Sequence, residues 1–277
     1  MTEDPPIPNQ TRQEERRDIK IRGPIIERLA KTYLSETPLV QERPWEENDI
    51  EKIKQFFLET APYSHPRVFP SYWDHIVLTG LYARNLAREM KIPGYDPLQA
   101  QALGLIHDIG RLLVPHRYYR NDIAAELLLK AVGIRPELAA QEYPAARILG
   151  RGDNARSIED ITGPQRIIDI ADNLGRTNHL GKLFTLDDLD TYVSQQPERY
   201  KDTVFPSETW GIHQLTKGGK QKLGERLVKA EIEWMRSEGV DIDRIRDEIA
   251  SSFNSPQNQD FLNTLKAAQK QQKTDPL

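Results

Sequence analysis

Apolar side chains recur along this chain at the three-to-four-residue spacing of helices, and no segment alternates as a half-buried strand would, which predicts an all-α fold. Ile25, Ile26, Leu29, Ala30 and Tyr33 form a stripe within 21–34, and Ile50, Ile53, Phe56 and Phe57 form another on a helix that begins near Asn48 or Asp49. The stretch 61–70 carries three prolines and is expected to be a loop. A helix then runs from His75 to Met90, with Gly94 as its stop. Asp96 and Pro97 supply the N-cap and first turn of the next helix, whose Leu98, Ala102, Leu105 and Ile106 face the core and which ends at Gly104-Leu105-Ile106-His107-Asp108-Ile109-Gly110-Arg111.

Asn121 or Asp122 caps a helix through Ala131 that Gly133 terminates, and Pro136 opens a short one. Pro164 and Gly175 bound a helix over Gln165–Leu174. A capped segment at Thr185 and an irregular stretch from Pro197 to Gly211 precede helices over Lys220–Glu238 and Asp241–Phe253. No internal repeat is present. Residues 1–20 and 254–277, rich in charged and amide side chains, are expected to be a mobile arm and a mobile tail.

Composition sharpens this outline. Only 38% of the 277 residues are hydrophobic, low for a compact globule, which fits a core domain with polar extensions. A net charge of −4 gives no basic footprint, so nothing marks the whole chain as a nucleic-acid binder. The absence of cysteine excludes disulfides, thiolate ligands and cysteine nucleophiles, so any metal must be held by His, Asp or Glu. No run approaches the ~18 apolar residues of a membrane span, and Met1 to Lys20 lacks the apolar segment of a secretory signal. A soluble cytoplasmic protein without a membrane partner is the expectation, and a homo-oligomer is compatible with it.

The adjacent His107 and Asp108 carry the chemistry. Neighbouring side chains diverge on a regular helix, so this pair can converge only if the helix is ending there. His75 sits on an earlier helix, with His65 upstream in the proline-rich loop. Asp169 and Asp172, three residues apart, share a face of a later helix. Two imidazoles and two carboxylates from three helices make a mixed nitrogen–oxygen site suited to a borderline or hard divalent ion. His116, Arg117 and Arg120 form a short basic and aromatic segment with tyrosines, where cations could meet a phosphate or simply be solvated. Asp74 and Asp96 are expected to be structural.

In the order His75, His107-Asp108, Asp172, and in the phrases HIVLTGLYARNLA, ALGLIHDIGRLL and IIDIADNLGR, residues 70–180 resemble the HD-domain superfamily of metal-dependent phosphohydrolases, of the HDIG type. The resemblance implies an HD helical bundle over 71–182, with helices of 21–70 packed on it and a helical extension over 183–253. It implies His75, His107, Asp108 and Asp172 as metal ligands, with Asp108 also assisting the attack of water. It selects His75 over His65 and Asp172 over Asp169, leaving Asp169 to orient a ligating imidazole or to be solvated. Arg111 stands where many relatives carry lysine, near a substrate phosphate. Relatives with two or three metals usually draw further histidines from the intervening region, and none lies between His116 and His179. One divalent ion is therefore expected, with His116 the residue that could add to its ligands, and Mn, Co, Mg, Ni, Fe and Zn are not distinguished. The implied activity is hydrolysis of a phosphoester of a nucleotide or another small phosphorylated metabolite. A regulatory module that holds metal or nucleotide without turnover is the alternative, and a di-iron oxygenase of HD type is a more distant one.

Overall fold

The computed structural model describes residues 9–65, 68, 71–91, 94–113, 118–134, 164–176 and 235–272. Among these the regular elements are all helical: α1 (Asn9–Leu34), α2 (Glu47–Thr60), a 3₁₀ turn (Ala61–Tyr63), α3 (Ser71–Met90), α4 (Pro97–Ile106), a second 3₁₀ turn (Ile109–Leu112), α5 (Tyr118–Ala131), α6 (Pro164–Arg176), α7 (Ile242–Phe253) and α8 (Pro256–Lys270). The short helix expected from Pro136, the capped segment at Thr185 and the irregular stretch from Pro197 to Gly211 lie outside the described residues, as does most of the helix over Lys220–Glu238.

The bundle is built around α3, which packs most extensively on α4 and α6 and also meets α7 and α8. Trp73, Ile76, Leu78, Ala83 and Leu86 are fully buried on it, as expected of a helix enclosed on several sides. The close approach of its neighbours depends on missing side chains. A Cβ on Gly104 of α4 would lie 2.8 Å from the Thr79 carbonyl oxygen and 2.9 Å from Gly80 Cα, and one on Gly175 of α6 would lie 2.5 Å from Thr79 Oγ1. Gly175 was expected to follow α6 but lies inside it, against α3.

Several boundaries match their local chemistry. Asp96 accepts from Leu98 N at 2.7 Å at the start of α4, and Asp241 accepts from Arg244 N at 3.0 Å at the start of α7. Gly133, at φ 83°, ends α5. α2 begins at Glu47, slightly earlier than expected, because the Asp49 carboxylate reaches back to accept from Glu46 N at 2.9 Å. α3 begins four residues, and α5 four or five residues, before the expected starts.

Within the two ends expected to be mobile, residues 9–20 and 256–270 are helical, while 1–8 and 273–277 lie outside the described residues. α1 begins at Asn9, so residues 9–20 are helical: their Glu, Gln and Arg residues are good helix formers once Ile25, Ile26 and Leu29 anchor the following turns in the core. Pro24 is accommodated inside this helix, and the buried Arg22 donates to the carbonyls of Tyr63 and Ser64, both at 2.8 Å. At the other end, Ser255 caps α8, Pro256 occupies its first position, and Leu262, Leu265 and Gln269 are buried along one face. That spacing is helical, although the segment's overall composition is polar.

Two predictions follow from this packing. Gly104→Ala will destabilise the protein by about 1–3 kcal/mol, the cost of overpacking, because the added methyl meets backbone of α3; urea unfolding measures it. The second concerns Asp49, which is buried and paired with Arg43. Burial alone would raise its pKa, but the hydrogen bonds from Arg43 and from Glu46 N hold it below the ordinary 3.8. A depressed carboxyl stabilises the fold above its unfolded pKa and ceases to do so as pH falls through the folded value. Asp49→Asn will therefore cost about 1.5–3 kcal/mol near neutral pH, and its difference from wild type will close on acidification.

Candidate metal centre

His75 lies on the second turn of α3, Asp172 lies late on α6, and His107 follows the last residue of α4. His107 itself still has helical backbone angles, φ −54° and ψ −34°, whereas Asp108 turns out of the helix at φ −107° and ψ 21° before the second 3₁₀ turn begins. This change of direction between adjacent residues lets both side chains address one point. The Asp108 carbonyl is tied down by Arg111 N at 2.9 Å and by the Tyr72 hydroxyl at 3.2 Å.

The four polar groups converge in a buried space. The two histidine rings meet edge to face with centroids 4.9 Å apart, and their Nε2 atoms face each other at 3.0 Å. Asp172 Oδ1 lies 3.1 Å from each of these nitrogens, and Asp108 Oδ2 lies 3.5 Å from each. His107 Nδ1 is 2.7 Å from the Gly104 carbonyl oxygen, which can only accept, so the ring hydrogen is assigned to Nδ1. The lone pair of the neutral ring is then on Nε2, directed at the other three groups, an arrangement common for histidines that bind metal.

The electrostatics agree with this geometry. Burial opposes protonation of His107, but the carboxylates of Asp108 and Asp172 outweigh it and raise the pKa. Burial likewise opposes ionisation of Asp108, and Arg111, His107 and His75 together hold its carboxyl well below the usual range. Arg111 Nε lies 2.6 Å from Asp108 Oδ2, an ion pair. The basic residue after the motif thus engages the aspartate directly.

The donor set fits a divalent cation. Two imidazole nitrogens cannot both donate across the 3.0 Å between them, and His75 Nδ1 is buried without a hydrogen-bond partner among the described residues. A positive ion among His75, His107 and Asp108 would satisfy these three groups, with Asp172 Oδ1 beside both ring nitrogens as the further ligand candidate, and nitrogen and oxygen donors suit several divalent metals.

Of the other sequence candidates, His116 and Arg117 lie outside the described residues. Arg120 is on α5 and Asp169 on α6, with side chains that are likewise outside them. His65 is buried, and its main-chain N–H donates to the Leu112 carbonyl at 2.8 Å. Sequence reasoning missed the contributions of Gly104 and Tyr72, which act through a main-chain carbonyl and on one. The position of Gly104 one helical turn before His107 was the available signal.

Residues 72–177 match the family model of the HD domain. No curated protein and no solved structure matches the chain.

If Arg111 is the main cation holding Asp108 ionised, Arg111→Met will raise the Asp108 pKa, as followed by ¹³C NMR of the side-chain carboxyl. An unchanged titration would mean that the two histidines suffice.

Proposed function

We propose, because residues 72–177 match the family model of the HD domain, that this protein is a metal-dependent phosphohydrolase that cleaves a phosphoester of a nucleotide or another small phosphorylated metabolite. The observation that carries the proposal is the convergence of His75 Nε2, His107 Nε2, Asp108 Oδ2 and Asp172 Oδ1, with the His107 lone pair directed inward by Gly104. These four residues would hold one divalent ion. Bound there, it would supply Lewis acidity toward a phosphoryl oxygen and make water a better nucleophile near neutral pH.

The remaining work falls to side chains. Asp108, kept ionised in its buried setting, accepts a hydrogen bond from the attacking water and orients its oxygen toward phosphorus. Arg111 holds the Asp108 carboxylate in place and adds positive charge close to where negative charge grows in the transition state. Water oxygen bonds to phosphorus as the ester P–O bond breaks; the proton given up by the water passes by way of Asp108 to solvent, and the departing oxygen takes one from solvent. His116, Arg117 and Arg120 are assigned to the substrate phosphate on the chemistry of arginine and histidine and their place after the motif. No helix among the described residues is long and apolar enough to cross a membrane.

Phosphate release by chelator-stripped protein, resupplied with Mn²⁺, Co²⁺, Mg²⁺ or Ni²⁺ and screened over a nucleotide panel, tests the proposal. Release should require metal and fall about 10²–10⁴-fold in Asp108→Ala, the span for losing a positioned acid–base group. His107→Ala should lose activity with it. Metal affinity should also weaken on acidification, since protons compete for the His107 nitrogen. Wild-type turnover in both variants would refute the assignment.

A further inference from the structure

The two histidines of the centre are held differently. His107 is fixed by its own Nδ1 hydrogen bond to Gly104, whereas His75 Nδ1 has no such partner among the described residues. The position of the His75 ring therefore depends on how the first turns of α3 are placed. Those turns are gripped by the C-terminal helix α8.

Gln269, near the end of α8, is buried and uses both ends of its amide. Its Oε1 accepts from Trp73 Nε1 at 2.7 Å, and its Nε2 donates to the Val68 carbonyl at 2.8 Å. One turn earlier on α8, Lys266 Nζ meets the two carboxylate oxygens of Asp74 at 2.7 and 2.9 Å. Trp73 is fully buried, with its ring centroid 5.0 Å from that of Tyr72 and 6.1 Å from that of Phe57. Trp73 and Asp74 immediately precede His75. Trp73 and His75 lie about 200° apart around the helix axis, so pinning the indole on one side fixes the roll that presents the imidazole on the other. A buried amide is costly unless both its groups are paired, and here both are.

We propose that Gln269 is a positioning residue for His75. Its amide, backed by the Lys266–Asp74 pair, sets the roll and translation of the start of α3, and with them the approach of His75 Nε2 to His107 Nε2. The inference rests on the metal site proposed above and adds to it a requirement for the chain's C-terminal helix.

Isothermal titration of the full-length chain with Mn²⁺ alone tests this, comparing wild type, His75→Ala, Gln269→Met, Lys266→Met and Leu34→Ala well below their melting temperatures. Leu34 is fully buried on α1, and its truncation is a control for general loss of stability. Gln269→Met should weaken Mn²⁺ binding about tenfold, the lower end for partners that orient metal ligands. Lys266→Met should weaken it in the same direction but less. Leu34→Ala should lower Tm and leave affinity at the wild-type value. Wild-type affinity in Gln269→Met, or an equal loss in Leu34→Ala, would overturn the inference. If Gln269→Met does not fold, unchanged affinity in Lys266→Met would overturn it instead. Should wild type bind Mn²⁺ no better than His75→Ala, the metal site itself would fall, and the role of Gln269 with it.

Discussion

Three helices meet at Thr79, and the rest of the centre depends on how closely they meet there. Gly104 of α4 and Gly175 of α6 both press against this residue, at distances that leave no room for a Cβ. Each contact lies about one helical turn from a member of the cluster: Thr79 from His75, Gly104 from His107, Gly175 from Asp172. A helix displaced by the width of a methyl group would carry its side chain away from the common point. Glycine packing one turn away thus sets the separations between the polar groups.

Within that frame, the centre is arranged to keep its carboxylate charged and its nitrogens directed inward. Leaving Asp108 buried without cations would favour its neutral form. Arg111 and the two histidines reverse that preference, while Gly104 assigns the hydrogen of His107 to the outer nitrogen. The helix end serves both purposes. It frees Asp108 from helical geometry and brings Arg111, three residues later, back onto the Asp108 carboxylate.

Much of this was legible in the sequence because it is local. Asp96 with Pro97 marks a helix start, Gly133 marks a stop, and the convergence of His107 with Asp108 requires the helix to end between them. The terminal helices were misread because average composition hides periodicity. Leu262, Leu265 and Gln269 are spaced along one face of α8, but the Asn, Gln and Lys around them make the segment look unable to pack. Residues 9–20 lack an apolar stripe of their own and are helical as the continuation of a packed helix. Gly104 and Gln269 carried no chemical signature, since one acts through its backbone and the other through partners nearly two hundred residues away in sequence.

The central claim is that side chains of α3, the end of α4 and α6 share one divalent ion. Anomalous diffraction from crystals of the protein grown with Mn²⁺ tests it most directly. A single strong peak within bonding distance of His75 Nε2, His107 Nε2, Asp108 and Asp172 is the predicted result. A peak elsewhere, or none at this cluster with Mn²⁺ in excess, would contradict it.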